Sequence, residues 1–395
     1  MQSRTSVVIF AIGAAAAFVA GLWIGNMRPA APPSPQASSA PVSSPQAPSS
    51  PPASLPPVKI VPAPPPPETP RLTKAPPAPR PEAQAPVTQP DGHRDAVLAI
   101  VAGSDGKTFF TGSADRSIKV WTTADSKPVR ELAGGKGIVR AMLLLPDGRI
   151  LTGRDDRQFA LLSASDGRPY AIFDASANGG VNALAASRDG SLFLSGQENG
   201  AIIVWDAATG AATKVIGGHH GRVAALAITP DGKHAVSAGI DQTVRIWELA
   251  SGRQLHMLTG HGSGIYGLAL SHDGRLAATA SGDRTIKIWD VAAAREVRTL
   301  SGHLGTVYAI AISPDGRRIA SASLDGTARL WDLASGEAVA TFRPDPMSFY
   351  GIPLYSIAFA GDGQILTGAR DGSIRLWNVS GAKLVRHYPG GAPQR

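Results

Sequence analysis

The feature of this sequence that most restricts its fold is a tryptophan that returns at a fixed interval. Six of the seven tryptophans follow one another at spacings of 84, 42, 42, 42 and 46 residues: Trp121, Trp205, Trp247, Trp289, Trp331 and Trp377. The first spacing is twice the others, and Leu162 stands where the missing tryptophan would be. A period of about 40 residues is typical of repeated supersecondary units that pack against one another. The chain therefore contains seven such units.

Turn signals divide every unit into short segments. An Asp-Gly pair precedes each tryptophan position by 15 or 16 residues, and its aspartates are Asp105, Asp147, Asp189, Asp231, Asp273, Asp315 and Asp362. Between the turns lie short apolar runs such as TVYAIAIS and TARLWD. Runs of this kind predict four antiparallel strands joined by hairpins. One four-stranded sheet cannot bury both faces alone, so the predicted fold is all-β, a seven-bladed β-propeller.

Two dipeptides in the sixth unit resemble a known family. Gly302-His303 and Trp331-Asp332, with 28 residues from His303 to Trp331, are similar to the signatures of the WD-repeat β-propeller family. The resemblance covers about residues 91–389. Many members of that family close the ring by lending a strand from one terminus. Here residues 383–388 complete the last unit in sequence order, so we expect face packing between the first and last blades, with residues 85–88 as an alternative edge strand.

A serine or threonine, a histidine and an aspartate also recur with the tryptophan. These residue types form the catalytic set of nucleophilic hydrolases. The set is complete in four units, however, and serine and threonine alternate in it, whereas one active site needs one nucleophile. The donors and acceptors of the four side chains can form a chain from Trp to Ser/Thr to His to Asp, and the family resemblance implies the same tetrad. We interpret these residues as structural: His93, Thr111, Asp115, Trp121; His219, Ser237, Asp241, Trp247; His261, Thr279, Asp283, Trp289; His303, Ser321, Asp325, Trp331.

Three units lack members of this set. The replacements are Gly135 and Leu162 in unit 2, Ala177 and Asn199 in unit 3, and Tyr350 in unit 7. An unpaired buried polar group costs about 1 to 3 kcal/mol. These three units are therefore expected to be looser than the others.

The family resemblance also implies where a partner would dock. In such propellers the residue after the first-strand valine or isoleucine often faces the partner, and here three successive units have a tyrosine there. Arg140 has the same first-strand position in unit 2, Leu324 and Arg370 come from second hairpin turns, and Arg222 is nearby. The candidate partner-binding face is therefore Tyr266, Tyr308, Tyr355, Leu324, Arg370, Arg222 and Arg140. Tyrosine and arginine are enriched in the energetically dominant residues of protein interfaces. The alternative is that the tyrosines fill grooves between blades with their hydroxyls in water.

The first 90 residues have a different composition. Residues 5–27 are uncharged, long enough for a helix to cross a membrane, and lack a good cleavage site. We therefore predict an anchor over 1–28. The terminal amine and Arg4 precede the uncharged stretch and Arg28 follows it, which slightly favours a propeller outside the cytoplasm. Residues 29–90 hold 23 of the 33 prolines and no aromatic residue, which predicts a disordered linker before a propeller over 91–395.

The net charge and the absence of cysteine restrict the classes of function that we expect. The net charge of +8 is spread over the segments without a basic cluster, so nucleic acid is not an expected partner. The chain has no cysteine, and we expect neither a metal nor another cofactor. The sequence predicts a non-catalytic, membrane-tethered scaffold that binds other proteins, on the periplasmic side of a bacterial inner membrane. The alternative is a ligand-binding or enzymatic propeller with a site in its central channel.

Overall fold

The computed structural model of the 395-residue chain describes residues 91–132, 135–175, 179–344, 351–361 and 363–391. These residues form seven four-stranded antiparallel sheets, each made of four consecutive strands. The all-β, seven-bladed β-propeller predicted from the repeats is confirmed. In this part of the chain no helix has the length and apolar character to span a membrane. The predicted anchor and linker lie outside the described residues.

The strands of each blade follow in chain order from the innermost to the outermost. Blade 1 contains β1 (Val97–Ala102), β2 (Thr108–Ser113), β3 (Ile118–Thr122) and β4 (Arg130–Leu132); blade 2 contains β5 (Val139–Leu144), β6 (Arg149–Arg154), β7 (Gln158–Ser163) and β8 (Pro169–Asp174). Blade 3 contains β9 (Val181–Ala186), β10 (Leu192–Gln197), β11 (Ile202–Asp206) and β12 (Ala212–Ile216); blade 4 contains β13 (Val223–Ile228), β14 (His234–Gly239), β15 (Val244–Glu248) and β16 (Gln254–Leu258). Blade 5 contains β17 (Ile265–Leu270), β18 (Leu276–Ser281), β19 (Ile286–Asp290) and β20 (Arg295–Leu300). Blade 6 contains β21 (Val307–Ile312), β22 (Arg318–Ser323), β23 (Ala328–Asp332) and β24 (Ala338–Phe342), and blade 7 contains β25 (Leu354–Phe359), β26 (Gln364–Ala369), β27 (Ile374–Asn378) and β28 (Lys383–Tyr388).

The Asp-Gly pairs form the turn between the first and second strands. In blade 6 the Asp315 carboxylate accepts hydrogen bonds from the backbone N–H of Arg317 at 2.9 Å and from the Ser313 hydroxyl. Gly316 has a φ of 70°, a conformation that glycine adopts without a steric penalty. The recurrent dipeptide therefore fixes a tight hairpin between the two inner strands.

Small residues on the second strand let neighbouring blades approach closely. A Cβ placed on Gly196 of blade 3 would lie 2.7 Å from Val223 Cγ1 on the first strand of blade 4. Gly368 of blade 7 stands in the same relation to Val97 of blade 1, again at 2.7 Å. The first strands contact one another all round the ring, β25 against β1 included. The core is therefore a series of apolar layers between blades rather than one central cluster.

Blades 1 and 7 close the ring side by side. The Ser356 hydroxyl donates to the Val97 carbonyl at 2.9 Å, and at the periphery the Tyr388 hydroxyl donates to the Thr122 carbonyl at 3.2 Å. Arg386 Nε donates to the carbonyl of Thr123 at 3.0 Å. All four strands of blade 7 come from residues 354–388, in agreement with the expected packing between faces. The alternative edge strand over 85–88 lies outside the described residues.

Candidate interaction site

The hydroxyl, histidine, aspartate and tryptophan of each complete repeat meet in one hydrogen-bonded network. In blade 6, Trp331 Nε1 donates to Ser321 Oγ at 2.9 Å, and His303 Nε2 lies 2.8 Å from the same oxygen. His303 Nδ1 lies 2.9 Å from the Asp325 carboxylate. Ser321 has no exposed surface. The turn that holds Asp325 and the loop that holds His303 are thereby tied to the second and third strands.

The protonation states of His303 and Asp325 determine which group donates in each hydrogen bond of this network. Burial lowers the pKa of His303, although the Asp325 carboxylate opposes this shift. Burial alone would raise the pKa of Asp325, but hydrogen bonds from His303, Thr327 and the Leu304 backbone outweigh it and hold that pKa well below its usual range. At neutral pH the aspartate is therefore ionised and can only accept, so the neutral imidazole donates from Nδ1 and accepts the Ser321 proton at Nε2.

The same network is present in blades 1, 4 and 5. The bond from the indole N–H to the hydroxyl oxygen measures 2.7, 2.8 and 2.8 Å, and the histidine lies 2.6 to 2.8 Å from that oxygen. Its members are His93, Thr111, Asp115 and Trp121; His219, Ser237, Asp241 and Trp247; His261, Thr279, Asp283 and Trp289. In all four blades the hydroxyl oxygen bonds both the tryptophan and the histidine.

Blades 2 and 3 use a different side chain, the last residue of the second strand, which sequence reasoning missed. Gln197 Nε2 donates to Ser195 Oγ at 2.7 Å, and Trp205 Nε1 donates to the same oxygen at 2.8 Å. In blade 2 the Arg154 guanidinium lies against Gly135, where a Cβ would overlap it, and Arg154 Nε donates to Asp156 at 3.1 Å. The space left by the missing histidine is filled in blade 2, and the hydroxyl in blade 3 has two donors. Gln197 Oε1, however, is buried and has no hydrogen-bond partner among the described residues. The expected looseness of these blades therefore stays a prediction.

Blade 7 keeps the inner half of the network. Trp377 Nε1 donates to Thr367 Oγ1 at 3.0 Å. Tyr350, at the expected histidine position, lies outside the described residues, as does Ala177 of unit 3.

The residues proposed to face a partner share one backbone feature. In every blade the pairing of the first and second strands skips one residue of the first strand. We call the skipped residues the bulge ring: Leu98, Arg140, Asn182, Ala224, Tyr266, Tyr308 and Tyr355. A β-bulge leaves one residue out of the regular alternation and redirects its side chain. Since the first strands are innermost, the bulge ring surrounds one mouth of the central channel.

The three tyrosines form a continuous aromatic contact in the bulge ring. The ring centroids of Tyr266 and Tyr308 are 5.1 Å apart, and those of Tyr308 and Tyr355 are 5.0 Å apart, with tilted planes. Burial raises the pKa of Tyr308 to about 12. Tyr355 was expected to be available to a partner but is only 6% exposed, because it packs in a cluster with Ala96 and Leu98 of blade 1. Tyr266 and Tyr308 remain half-buried.

The other side of the ring is polar. Arg140 pairs with Asp155 at 3.4 Å, and Asn182 Nδ2 donates to the Glu198 carboxylate at 2.8 Å. Arg222, which was also expected on the exposed face, is 7% exposed, and its Nε has no acceptor among the described residues. The channel mouth thus has an aromatic half and a charged half.

Exposed apolar side chains flank the aromatic half. Backbone bonds such as Leu324 N to Thr306 O, at 2.8 Å, join each second hairpin turn to the loop before the first strand, so both lie at one edge of the blade. Four exposed large apolar residues of blades 4, 6 and 7 lie in these segments: Ile240, Leu304, Leu324 and Ile352. We call the bulge ring together with these four residues the tyrosine face. Arg370 is exposed at the corresponding turn of blade 7. The other exposed large apolar side chains lie on, or within one residue of, the outermost strands.

These features define a class before any comparison with known proteins. Seven consecutive four-stranded blades, with a Trp–Ser/Thr–His–Asp network in four of them, make the molecule a repeat β-propeller. Among the described residues no group of three His, Asp or Glu side chains is arranged to hold a metal ion.

The chain belongs to the WD40 family. The model of the WD domain, G-beta repeat, matches more than half of the chain: residues 84–122, 167–206, 210–248, 252–290, 294–332 and 347–378. The interval between the first two matches contains most of blade 2, in which Leu162 replaces the tryptophan and Arg154 replaces the histidine. The family identification and the fold agree with the resemblance seen in the sequence.

Similar proteins match a part of the propeller. The guanine nucleotide-binding protein subunit beta of Arabidopsis thaliana is 32% identical over 133 residues, which are 32% of this chain and 35% of the relative. The corresponding subunit of Oryza sativa subsp. japonica is 29% identical over 126 residues, which are 30% of this chain and 33% of the relative. The apoptotic protease-activating factor 1 of Homo sapiens is 30% identical over 130 residues, which are 31% of this chain and 10% of that protein. The chain thus spans about a third of the first relatives it matches.

Proposed function

We propose that this protein is a non-catalytic interaction scaffold that binds partner proteins on the tyrosine face. The observation that carries the proposal is the position of four exposed apolar side chains beside the tyrosines of the bulge ring. An apolar group of this kind at a surface is a recurrent mark of a protein-binding site. The half-buried rings of Tyr266 and Tyr308 offer rigid contact area with little loss of conformational freedom on binding.

The hydroxyls that resemble a nucleophile support the non-catalytic interpretation. Ser321 is enclosed, accepts from Trp331 and uses its proton to bond His303. A nucleophile must reach a reacting atom, and this oxygen has no open side. The histidine–aspartate pair is therefore employed in bracing the blade.

The relatives agree with a role in assemblies. The proteins from Arabidopsis thaliana and Oryza sativa are by name subunits of a larger protein. The match covers part of a propeller, so it supports the class of function and names no partner for this chain.

We further propose that the propeller is attached to a membrane through residues 1–28 and the linker over 29–90, with the propeller on the periplasmic side of a bacterial inner membrane. The support is the uncharged stretch from residue 5 to residue 27 and the density of prolines after it. A tethered scaffold gains effective concentration for partners near the same membrane.

The test is crosslinking and mass spectrometry on cells that express the full chain or one of two matched variants. Leu304→Glu places a charge on the tyrosine face, where the wild-type side chain is 72% exposed, and Val339→Glu places one on β24 of the same blade, where it is 54% exposed. We expect the first variant to lose partners that the second retains. If both variants crosslink the same partners as the wild type, the tyrosine face is not the docking site. If no protein crosslinks to the wild-type propeller, the scaffold function is wrong.

A further inference from the structure

Arg222 is a buried cation at the channel mouth whose Nε has no hydrogen-bond partner among the described residues. It directly precedes β13, and its backbone carbonyl accepts the Ile240 N–H at 3.1 Å, which places it beside the tyrosine face. The side chain is more than nine-tenths buried, and Nε has no hydrogen-bond acceptor in the described part of the chain. No ion pair of Arg222 is found in that part either, whereas Arg140 nearby pairs with Asp155.

Arg222 lies next to β13, the innermost strand of blade 4, and charged or ionisable groups of four other blades act on its guanidinium. They are Glu198 of blade 3, Arg140 of blade 2, Tyr266 of blade 5 and Tyr308 of blade 6. Side chains from blades on both sides of blade 4 come together only where the blades converge. Glu198 is exposed and accepts a hydrogen bond from Asn182 through one carboxylate oxygen, and among the described residues no ion pair joins it to Arg222.

Such an arrangement is costly for the unbound protein. A buried charge without hydrogen-bonded compensation destabilises the fold, and burial lowers the pKa of Arg222. Arginine nevertheless keeps its proton at neutral pH because its ordinary pKa is above 12. The missing component is therefore an anion with acceptor oxygens.

We propose that Arg222 binds a carboxylate side chain of a partner protein, inserted between the polar half of the bulge ring and the rings of Tyr266 and Tyr308. The planar guanidinium matches a carboxylate through two parallel N–H···O bonds. Tyrosine hydroxyls at the mouth can donate to the same oxygens. A monoanion suits the site better than a dianionic phosphate because the Glu198 carboxylate already acts on Arg222. This proposal rests on the proposed docking function and specifies what the partner must present: an acidic residue beside apolar side chains that cover Leu304 and Leu324.

The test selects binding peptides from a random library, so the partner itself need not be identified. The full chain, immobilised through its N-terminus, is panned against phage-displayed random dodecapeptides. The enriched peptides are then titrated against wild type, Arg222→Met and Arg329→Met. Arg329 serves as the matched control because its Nε also lacks an acceptor in the described residues, but it lies on the third strand of blade 6.

We expect the enriched peptides to contain Asp or Glu next to apolar residues. Arg222→Met should weaken their binding at least about thirtyfold, since removing one partner of a buried charge pair costs binding energy on that scale. Replacing the peptide's acid by its amide should cost a similar factor in the wild type and little in Arg222→Met. Arg329→Met should bind as the wild type does.

Other outcomes separate the two proposals. Peptides without an enriched acid, or equal affinity for wild type and Arg222→Met, would overturn the carboxylate site, while their sensitivity to Leu304→Glu would still support the tyrosine face. Peptides insensitive to both Arg222→Met and Leu304→Glu would overturn both proposals. Millimolar succinate that binds through Arg222 when no peptide is enriched would assign the site to a small organic acid and refute the partner's carboxylate.

A stability measurement checks the premise independently of binding. Because Arg222→Met removes an unpaired buried charge, we expect its Tm to equal or exceed that of the wild type. A fall of several degrees would mean that the guanidinium is satisfied within the fold, and the inference would fail.

Discussion

The tetrads make a quantitative prediction about one hydroxyl group. Thr279 of blade 5 is fully buried, accepts from Trp289 Nε1 at 2.8 Å and lies 2.8 Å from His261 Nε2. Thr279→Val keeps the shape of the side chain and removes its oxygen, so the indole N–H and the imidazole nitrogen both lose their partner. Each unsatisfied buried group costs about 1 to 3 kcal/mol, so the variant should lose about 2 to 6 kcal/mol of unfolding free energy.

Blade 2 offers the matched control for this substitution. Thr152 occupies the same place in its blade and is equally buried, but its hydroxyl bonds only the Ala160 carbonyl, at 3.3 Å. Thr152→Val therefore leaves no donor side chain unsatisfied and should cost at most about 1 kcal/mol. Thermal unfolding followed by near-ultraviolet circular dichroism compares the two, and Thr279→Val should lower Tm by at least about 4 °C, at roughly 2 °C per kcal/mol for a large domain. Equal shifts for both variants would refute the view that the tetrad braces the blade.

Two further predictions follow from the same networks. Burial lowers the pKa of His303 below its value of 6.5 in an unfolded chain. Below that pH the unfolded state therefore binds more protons than the folded state, and protonation favours unfolding. We expect a constant Tm above pH 7 and a falling Tm as the pH drops through about 6.5. A second loss should come below about pH 4, where the aspartates of the unfolded chain become protonated. In the folded chain burial alone would raise the pKa of Asp283, but hydrogen bonds from Thr285, His261 and Gly262 outweigh it and hold that pKa at about 2. A Tm unchanged between pH 7 and 3 would contradict both expected losses. In blade 3, Gln197→Ala removes the 2.7 Å bond to Ser195 and leaves a cavity, so it should cost about 2 kcal/mol in urea unfolding, whereas a neutral effect would show that Gln197 does not replace the histidine.

The architecture was predictable because the information for it is local. The spacing of the tryptophans and the Asp-Gly turns define each blade within about 40 residues, and a sheet made of consecutive strands needs no distant pairing. The bulge ring was located by its place after the first valine or isoleucine, although the skipped pairing itself becomes visible only in the register of the strands.

The replacements in blades 2 and 3 are not visible at the histidine position of the repeat, because the side chains that take over come from another position. Gly135 occupies the position of the repeat that holds histidine in the complete blades. The side chain that fills the space of this histidine is Arg154, which lies two residues after the hydroxyl-bearing residue of the second strand. That position is Ser, Gly or Ala in the other five blades. The long polar residues Arg154 and Gln197 at this position are the feature of the sequence that indicates the replacement. The burial of Tyr355 depends on Ala96 and Leu98, which are more than 250 residues away and become neighbours only when the ring closes.

Because the two ends of the propeller lie next to each other, the fold does not depend on which blade comes first in the chain. The backbone N–H of Gly391 donates to the carbonyl of His93 at 2.7 Å, and Gly92 lies against Pro389. Within the described ranges each sheet is built from four consecutive strands, so a gene rearranged to begin between any two blades, with the ends of the propeller fused, would encode the same seven sheets. Domains whose ends adjoin tolerate such permutation. A family of permuted chains would therefore present an unchanged tyrosine face while its attachment point moved step by step around the ring.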